Sequence, residues 1–195
     1  MKNNANTKSR IVSAAWKLFY EVGYDDTTVE DIVRESETSK GSFYHYFESK
    51  DALLGSLSVL FDEKYEELIP TLDGKKTSFE KLMYLNHDLF FMIENSVSLD
   101  LLARMYSSQI VTKGDKHLLD RNRIYYKILR KIFADGQEAG EFVTEISVND
   151  MVKTYALCER ALLYDYCMCN GEYSLTDYAD KMLPMFLGGY RTGKI

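Results

Sequence analysis

Proline and glycine are scarce in this chain, and that scarcity limits the folds it can adopt. Its 195 residues include two prolines, Pro70 and Pro184, and eleven glycines. A sandwich of many short strands needs a turn about every 8–12 residues, and turns draw heavily on these two residue types. Long stretches free of both therefore predict an all-α chain and argue against an all-β fold.

The composition, 46% hydrophobic and 28% charged, is that of an ordinary globular protein. No stretch approaches the roughly 18 uncharged apolar residues of a membrane span. Residues 1–10 are polar and basic, and the apolar segment of a secretory signal does not follow them. Three cysteines crowded between positions 158 and 169 do not form the framework of a disulfide-rich secreted domain. We expect a cytoplasmic protein without membrane contact.

The formal net charge of −6 provides no overall attraction to nucleic acid. Any binding to DNA must therefore depend on a local surface. Lys2, Lys8 and Arg10 have no acidic residue beside them among the first ten residues, so this segment is interpreted as a short basic arm.

Three helices are predicted within the first fifty residues. Apolar residues recur at intervals of three and four along residues 9–22, and Gly23 ends this helix. Thr28 begins a capping-box pattern for a short second helix. After a hydroxyl-rich break, Phe43 and Phe47 lie four apart on a third. Two short helices joined by a tight turn form a helix-turn-helix, whose second helix lies in the major groove of DNA.

The outward side of the third helix carries hydrogen-bond donors and flat rings. The side chains left outside when Phe43 is buried are those of Lys40, Ser42, Tyr44, His45 and Tyr46. These groups suit base edges and phosphate oxygens, and no carboxylate is among them. Lys50 follows at the start of the next helix, where a cation and exposed backbone N–H groups suit one more phosphate.

A series of residues at fixed spacing extends this pattern from position 11 to position 53. It comprises Ile11, Ala14, Ala15, Leu18, Phe19, Gly23, Tyr24, Thr27, Thr28, Val29, Ile32, the run from Ser39 to Phe47, Lys50 and Leu53. In these residues the chain resembles the DNA-binding domain of the TetR family of bacterial transcriptional regulators. The rest of the chain is similar to that family only in length and in the order of its helices.

The resemblance implies roles for eight residues of the helix-turn-helix. Thr28 would cap the second helix and contact a phosphate. Lys40, Gly41, Ser42 and His45 would meet bases. Tyr44, Tyr46 and Lys50 match positions that usually hold the DNA backbone.

Two residues depart from the family pattern. Glu37 occupies a turn position that is commonly glycine, and a non-glycine residue at positive φ costs roughly 1 kcal/mol or more. A slightly reshaped turn is therefore expected. Glu30 lies near the start of the second helix, where many relatives carry a basic or polar residue that reaches DNA. Because a carboxylate repels phosphate, we expect no DNA contact from Glu30.

Six further helices are predicted after the helix-turn-helix. They cover residues 49–70, 77–94, 98–110, 116–138, 147–169 and a segment from 174 onward, which Pro184 should kink or split. The predicted fold is all-α and TetR-like. A DNA-binding domain spans residues 1–48, and a linking helix connects it to a helical bundle in an effector-binding and dimerisation domain, residues 49–195.

Tyrosines are frequent in the second predicted domain. A buried tyrosine needs a partner for its hydroxyl, so such a cluster fits a cavity for an amphipathic ligand as well as it fits a core. The candidate ligand residues are Phe91, Tyr106, Tyr125 and Tyr155. In a TetR-like protein the last two helices would join a symmetry mate to form a homodimer. The candidate interface residues are Tyr155, Leu162, Tyr178, Met182 and Phe186.

The sequence contains no nucleophile elbow, phosphate-binding loop or paired zinc motif. We therefore expect no enzyme activity, catalytic residue, metal or cofactor. The prediction is a homodimeric transcriptional regulator, expected to be a repressor that a small-molecule effector releases from a palindromic operator in double-stranded DNA. The alternative is a helical ligand-binding or structural dimer that has lost DNA binding.

Overall fold

A computed structural model of the protein describes residues 2–72, 74–111, 113 and 116–193, with side chains from Thr7 onward. Within these ranges the chain forms nine α-helices, and its β-structure is a single bridge between Phe142 and Arg191. The all-α prediction is confirmed. The helices are α1 (Lys2–Glu21), α2 (Val29–Glu35), α3 (Lys40–Tyr46), α4 (Leu57–Leu68), α5 (Ser78–Ser96), α6 (Leu99–Val111), α7 (Ile124–Glu138), α8 (Val148–Met168) and α9 (Leu175–Gly188). None of the described helices is long and apolar enough to cross a membrane.

The chain divides into two compact units. The first consists of Met1–Val59 and Asp100–Leu118, and the second of Leu60–Leu99 and Leu119–Ile195. The first unit therefore extends past residue 48 and takes in most of α6. Arg104 of α6 joins this helix to the rest of the first unit, because its guanidinium donates to the Asp25 carboxylate at 2.6 Å.

Helices α1, α2 and α3 pack around a small apolar core in the first unit. Ile11, Ile32 and Phe43 are fully buried there. Gly23, at a φ of +100°, lies just beyond the end of α1, as the sequence predicted. Val22 is exposed, however, because Phe19 occupies the buried side of the last turn of α1.

The predicted basic arm is part of α1. The helix begins at Lys2, whose side chain lies outside the described residues. Lys8 Nζ lies 5.8 Å from the centroid of the Phe47 ring. Arg10 donates to backbone carbonyls of the turn between α2 and α3. The two described cations are thus in contact with the helix-turn-helix itself.

The linking helix differs from its prediction at its start. Asp51–Ser56 is a 3₁₀ segment, and the α-helix begins only at Leu57. Ser56 donates to the Leu53 carbonyl at 2.5 Å and accepts from Trp16 Nε1 at 2.8 Å. These local bonds compete with the α-helical pattern, which explains the tighter turn.

The second unit is built from most of α4 together with α5, α7, α8 and α9. Helix α7 begins at Ile124 and not near residue 116, because the Asp120 side chain accepts from the backbone of Asn122 in a turn. Helix α9 continues through Pro184 and is not split there. Leu183 and Leu187 are fully buried on either side of the proline, and this packing compensates for the hydrogen bond that proline removes.

Candidate DNA-binding site

Helix α3 presents one side to solvent because its other side supplies the core. Ser39 caps its start and accepts from the backbone of Ser42 at 3.0 Å. Phe43 is completely buried, and Phe47 just beyond the helix is also buried. Their rings, with centroids 5.9 Å apart, fix the rotation of the helix about its axis.

The opposite side of α3 carries the residues predicted to contact DNA. Lys40, Gly41 and His45 are exposed, and Tyr44 is 54% exposed. Ser42 and Tyr46 are half-buried. A Cβ atom at Gly41 would meet only Ser39 Oγ, at 3.8 Å, so this part of the helix is open to an approaching surface. The six α3 residues of the prediction thus occupy the parts of the helix surface that Phe43 leaves accessible, four of them exposed and two half-buried.

Thr28 caps α2 as predicted. Its Oγ1 accepts from the backbone N–H of Asp31 at 3.2 Å, and the Asp31 carboxylate accepts in return from the backbone of Thr28 at 3.1 Å. The hydrogen bonds from Thr28 hold the pKa of Asp31 below its usual value. Thr28 remains exposed at the start of the helix, and its hydroxyl also donates to the Asp31 carboxylate at 2.5 Å.

Lys50, which was predicted to hold a phosphate, bonds to the protein's own backbone in this structure. Its Nζ donates to the backbone carbonyls of Tyr24 at 2.6 Å and Thr27 at 2.9 Å. It also lies 4.3 Å from the centroid of the Tyr24 ring. These carbonyls belong to the loop between α1 and α2, where backbone groups that no helix satisfies attract the ammonium. Lys50 therefore ties this loop to the start of the 3₁₀ segment.

The turn between α2 and α3 keeps the left-handed conformation despite its glutamate. Glu37 has a φ of +49°. Arg10 Nη2 donates to the Glu37 carbonyl at 2.9 Å and lies 3.6 Å from the Glu37 carboxylate. It also donates to the carbonyl of Ser36. The guanidinium of α1 thus holds Glu37 in the left-handed conformation that glycine would adopt without strain.

Residues 11–57 match the N-terminal domain of the bacterial regulatory proteins of the tetR family. The regulator HbdR of Aromatoleum sp. (strain CIB) is 26% identical over 96% of this chain and 82% of its own length. The regulator QacR of Staphylococcus aureus is 27% identical over 70% of this chain and 74% of its own. The matched segment is a TetR-type helix-turn-helix domain, and the chain is a helix-turn-helix regulator of transcription.

Solved structures of the TetR family share the fold of both units. The FadR repressor of Thermus thermophilus, in complex with lauroyl-CoA, superposes with a TM-score of 0.75 and 21% identity, covering 96% of each chain. A TetR-family regulator from Pectobacterium atrosepticum gives a TM-score of 0.77 at 17% identity, covering 100% of this chain and 99% of that chain. At these identities the likeness concerns the fold alone.

The second unit contains a buried polar cluster. Tyr125 donates to Glu159 Oε2 at 2.6 Å, and Asn86 Nδ2 donates to Glu159 Oε1 at 2.7 Å. Tyr155 donates to the Leu82 carbonyl at 3.1 Å. Burial raises the pKa of Glu159 and, well above its usual value, that of Tyr125. Two of the predicted ligand residues, Tyr125 and Tyr155, are therefore brought together, whereas Asn86 and Glu159 were not predicted as ligand residues.

The other two predicted ligand residues do not join this cluster. Phe91 is 56% exposed, because its neighbour Phe90 takes the core position on α5. Successive residues on a helix point about 100° apart, so both rings cannot be buried on one side. Tyr106 is buried in the first unit. Phe91 therefore lies outside this cluster, and Tyr106 belongs to a different part of the fold.

The predicted dimer residues divide into buried and exposed sets. Tyr155 and Leu162 lie in the core of the second unit, where burial leaves them almost no surface for a partner. Tyr178 and Phe186 are exposed, and Met182 is half-buried. The large apolar side chains exposed on α8 and α9 are Leu157, Tyr164, Met168, Tyr178, Met185 and Phe186. Those of α8 recur at intervals of seven and four, and those of α9 at intervals of seven and one, so each set follows one side of its helix, a pattern available in the sequence.

Proposed function

We propose that this protein is a cytoplasmic homodimeric repressor that holds a palindromic operator through α3 and leaves it when a small molecule binds the second unit. This proposal rests mainly on the side chains that α3 exposes to solvent. There, donors and rings project from a helix whose rotation the buried Phe43 fixes. The N-terminal residues of a recognition helix are those that meet base edges in the major groove.

We assign the contacts by the position of each residue in the helix-turn-helix. Lys40, Gly41, Ser42 and His45 read bases. Thr28, Tyr44 and Tyr46 hold the sugar-phosphate backbone, which sets the register of the protein on DNA but carries no sequence information. Lys50 acts indirectly, because it positions the loop from Tyr24 to Thr27, next to Thr28.

Two arguments support a dimer: apolar side chains are exposed on α8 and α9, and a single recognition helix reads too few base pairs for specific DNA binding. Exposed apolar residues that form a contiguous patch mark an interaction site, whereas single scattered ones do not. One short recognition helix reads few base pairs, whereas two helices bound to half-sites one helical turn apart, about 34–36 Å, multiply the discrimination. Met185→Glu on α9 should therefore yield monomers in sedimentation at micromolar concentration. Phe91→Glu, which places the same charge on an exposed residue of α5, should leave the dimer intact.

The second unit is the proposed site of the effector. Its cluster around Glu159 combines polar groups with the rings of Tyr125 and Tyr155, and the Tyr65 and Tyr125 rings lie 5.3 Å apart. Acyl-CoA thioesters are the first compounds to test, since the structurally similar FadR proteins of Thermus thermophilus and Bacillus subtilis were solved with lauroyl-CoA and stearoyl-CoA. Release requires the effector to bind one arrangement of the protein more tightly than the other.

Selection from a random pool of double-stranded DNA at a stated moderate salt concentration tests the proposal. A palindromic motif with half-sites one helical turn apart supports a dimeric operator-binding protein. Recovery of no sequence above background by folded, dimeric protein refutes the DNA-binding proposal and favours the helical ligand-binding or structural dimer. An effector is then sought by its ability to release the selected DNA.

A further inference from the structure

Glu30 and Lys40 form an ion pair on the outward side of the helix-turn-helix. The carboxylate Oε1 contacts Lys40 Nζ, and the two side chains are 59% and 57% exposed. The contact holds the pKa of Glu30 below and that of Lys40 above their usual values, mainly through the side-chain hydrogen bond between them. The pair joins two elements, because Glu30 is the second residue of α2 and Lys40 the first residue of α3.

Stability is a weak explanation for a pair of this kind. Exposed ion pairs contribute about 0–1 kcal/mol, because water screens them and two long side chains lose freedom. The helix-turn-helix has its own core in Ile32 and Phe43, which are fully buried. The pair instead lies among residues proposed to contact DNA. Exposed Thr28 comes two residues before Glu30, and Tyr44 lies one helical turn after Lys40.

The ion pair also removes the objection to an acid at this position. An isolated carboxylate near phosphate is repelled, but a carboxylate in contact with an ammonium forms a neutral pair with a donor and an acceptor side by side. The major-groove edge of a G·C pair presents the matching pattern: guanine N7 and O6 accept, and cytosine N4 donates. Lysine suits the guanine acceptors, and a carboxylate suits the cytosine amino group.

We propose that Glu30 determines operator specificity together with Lys40, and that the two side chains read one G·C base pair in each half-site. Lys40 donates to guanine, while Glu30 accepts from the amino group of the cytosine in the same pair and keeps the ammonium directed at the base. This inference rests on the proposed DNA-binding function. It adds a base-reading residue from α2 to those of α3.

Removing either side chain should change the sequence preference at one position of the half-site. A good base contact discriminates against the wrong base by 1–3 kcal/mol, which corresponds to about fivefold to 150-fold. Glu30→Ala should therefore lower the preference for that G·C pair at least fivefold. The released Lys40 ammonium becomes available to phosphate, so the dependence of log K on log salt should steepen by up to about one unit.

Glu35→Ala is the matched control. Glu35 also lies on α2 and forms an exposed ion pair, with Lys17 at 2.6 Å, so its removal changes the net charge equally. The control should keep the base preference of the wild-type protein. Lys40→Met should lose the preference at the same base pair as Glu30→Ala.

The experiment first selects the operator with wild-type protein and then measures binding to duplexes in which each base pair is replaced in both half-sites. Loss of preference at one common G·C pair in both variants supports the inference. Wild-type preference at every position in Glu30→Ala, or losses at different positions in the two variants, overturns it while leaving the DNA-binding proposal intact. Failure of the wild-type protein to select any DNA overturns both.

Discussion

Replacing Glu37 by glycine should stabilise the first unit, which is unusual for a substitution that removes an ion pair. Glu37 has a φ of +49°, in a region that disfavours side chains. Arg10 holds this conformation through the carbonyls of Ser36 and Glu37. Those two bonds are made to the backbone, so they persist in Glu37→Gly.

The expected size follows from two opposing contributions. A non-glycine residue in the left-handed region costs about 1–2 kcal/mol, which the glycine relieves. The lost contact between the Arg10 and Glu37 side chains has a separation of 3.6 Å, and the glutamate is 88% exposed. Pairs of this kind contribute about 0.5 kcal/mol or less. Glu37→Gly should therefore raise the free energy of unfolding by about 1 kcal/mol.

Urea unfolding monitored by Trp16 fluorescence measures this effect, because the indole lies in α1 and donates to Ser56 within the same unit. Glu37→Ala is the control: it loses the same carboxylate and keeps the positive φ, so it should be slightly less stable than wild type. If Glu37→Gly is no more stable than Glu37→Ala, backbone strain at this turn is negligible and the argument fails.

Three further substitutions test the roles of single residues. Lys50→Met should destabilise the first unit by about 2 kcal/mol, because loop carbonyls lose a charged donor, and should leave the salt dependence of DNA binding unchanged; a slope reduced by about one would restore the phosphate role. Burial raises the pKa of Glu159, so the folded protein holds extra protons above the unfolded value near 4.3 and loses stability as the pH rises through this window. In Glu159→Gln the free energy of unfolding should therefore fall less as the pH rises above the unfolded value, and an unchanged pH dependence would contradict this. Gly136→Ala should destabilise the second unit by more than about 2 kcal/mol, because the new Cβ would lie 2.3 Å from buried Phe142; the added Phe142→Leu should recover part of the loss if this clash is the cause.

The helix-turn-helix was predictable because its signals are local. The Thr28 cap, the end of α1 near Gly23 and the buried Phe43 each depend on residues within a few positions along the chain. Local hydrogen bonds and helical periodicity determine these features before tertiary packing contributes. The same locality explains why the bounds of α5, α6 and α8 agreed with the predicted segments within a few residues.

The roles of charged side chains were less predictable, since their partners are distant in sequence. Lys50 was assigned to phosphate from its position at a helix start, but its ammonium bonds carbonyls more than twenty residues earlier in the chain. Arg10 and Glu37 are likewise joined only by the packing of α1 against the turn. A sequence pattern gives the direction of a side chain from its own helix, not the acceptor that another element brings to it.

Several cations of the first unit have partners within the protein, and this affects how an acidic chain can bind DNA. Among its described residues, Lys17, Arg34 and Lys40 contact carboxylates, while Arg10 and Lys50 bond loop and turn carbonyls. Counterion release depends on cations that neutralise phosphates, so these engaged side chains contribute little to non-specific affinity. Operator binding must then depend on base contacts and on hydroxyl or backbone donors, which makes discrimination between sequences large relative to total affinity. A shallow salt dependence for both operator and random DNA is the expected consequence, whereas a steep one would require these ion pairs to open on DNA.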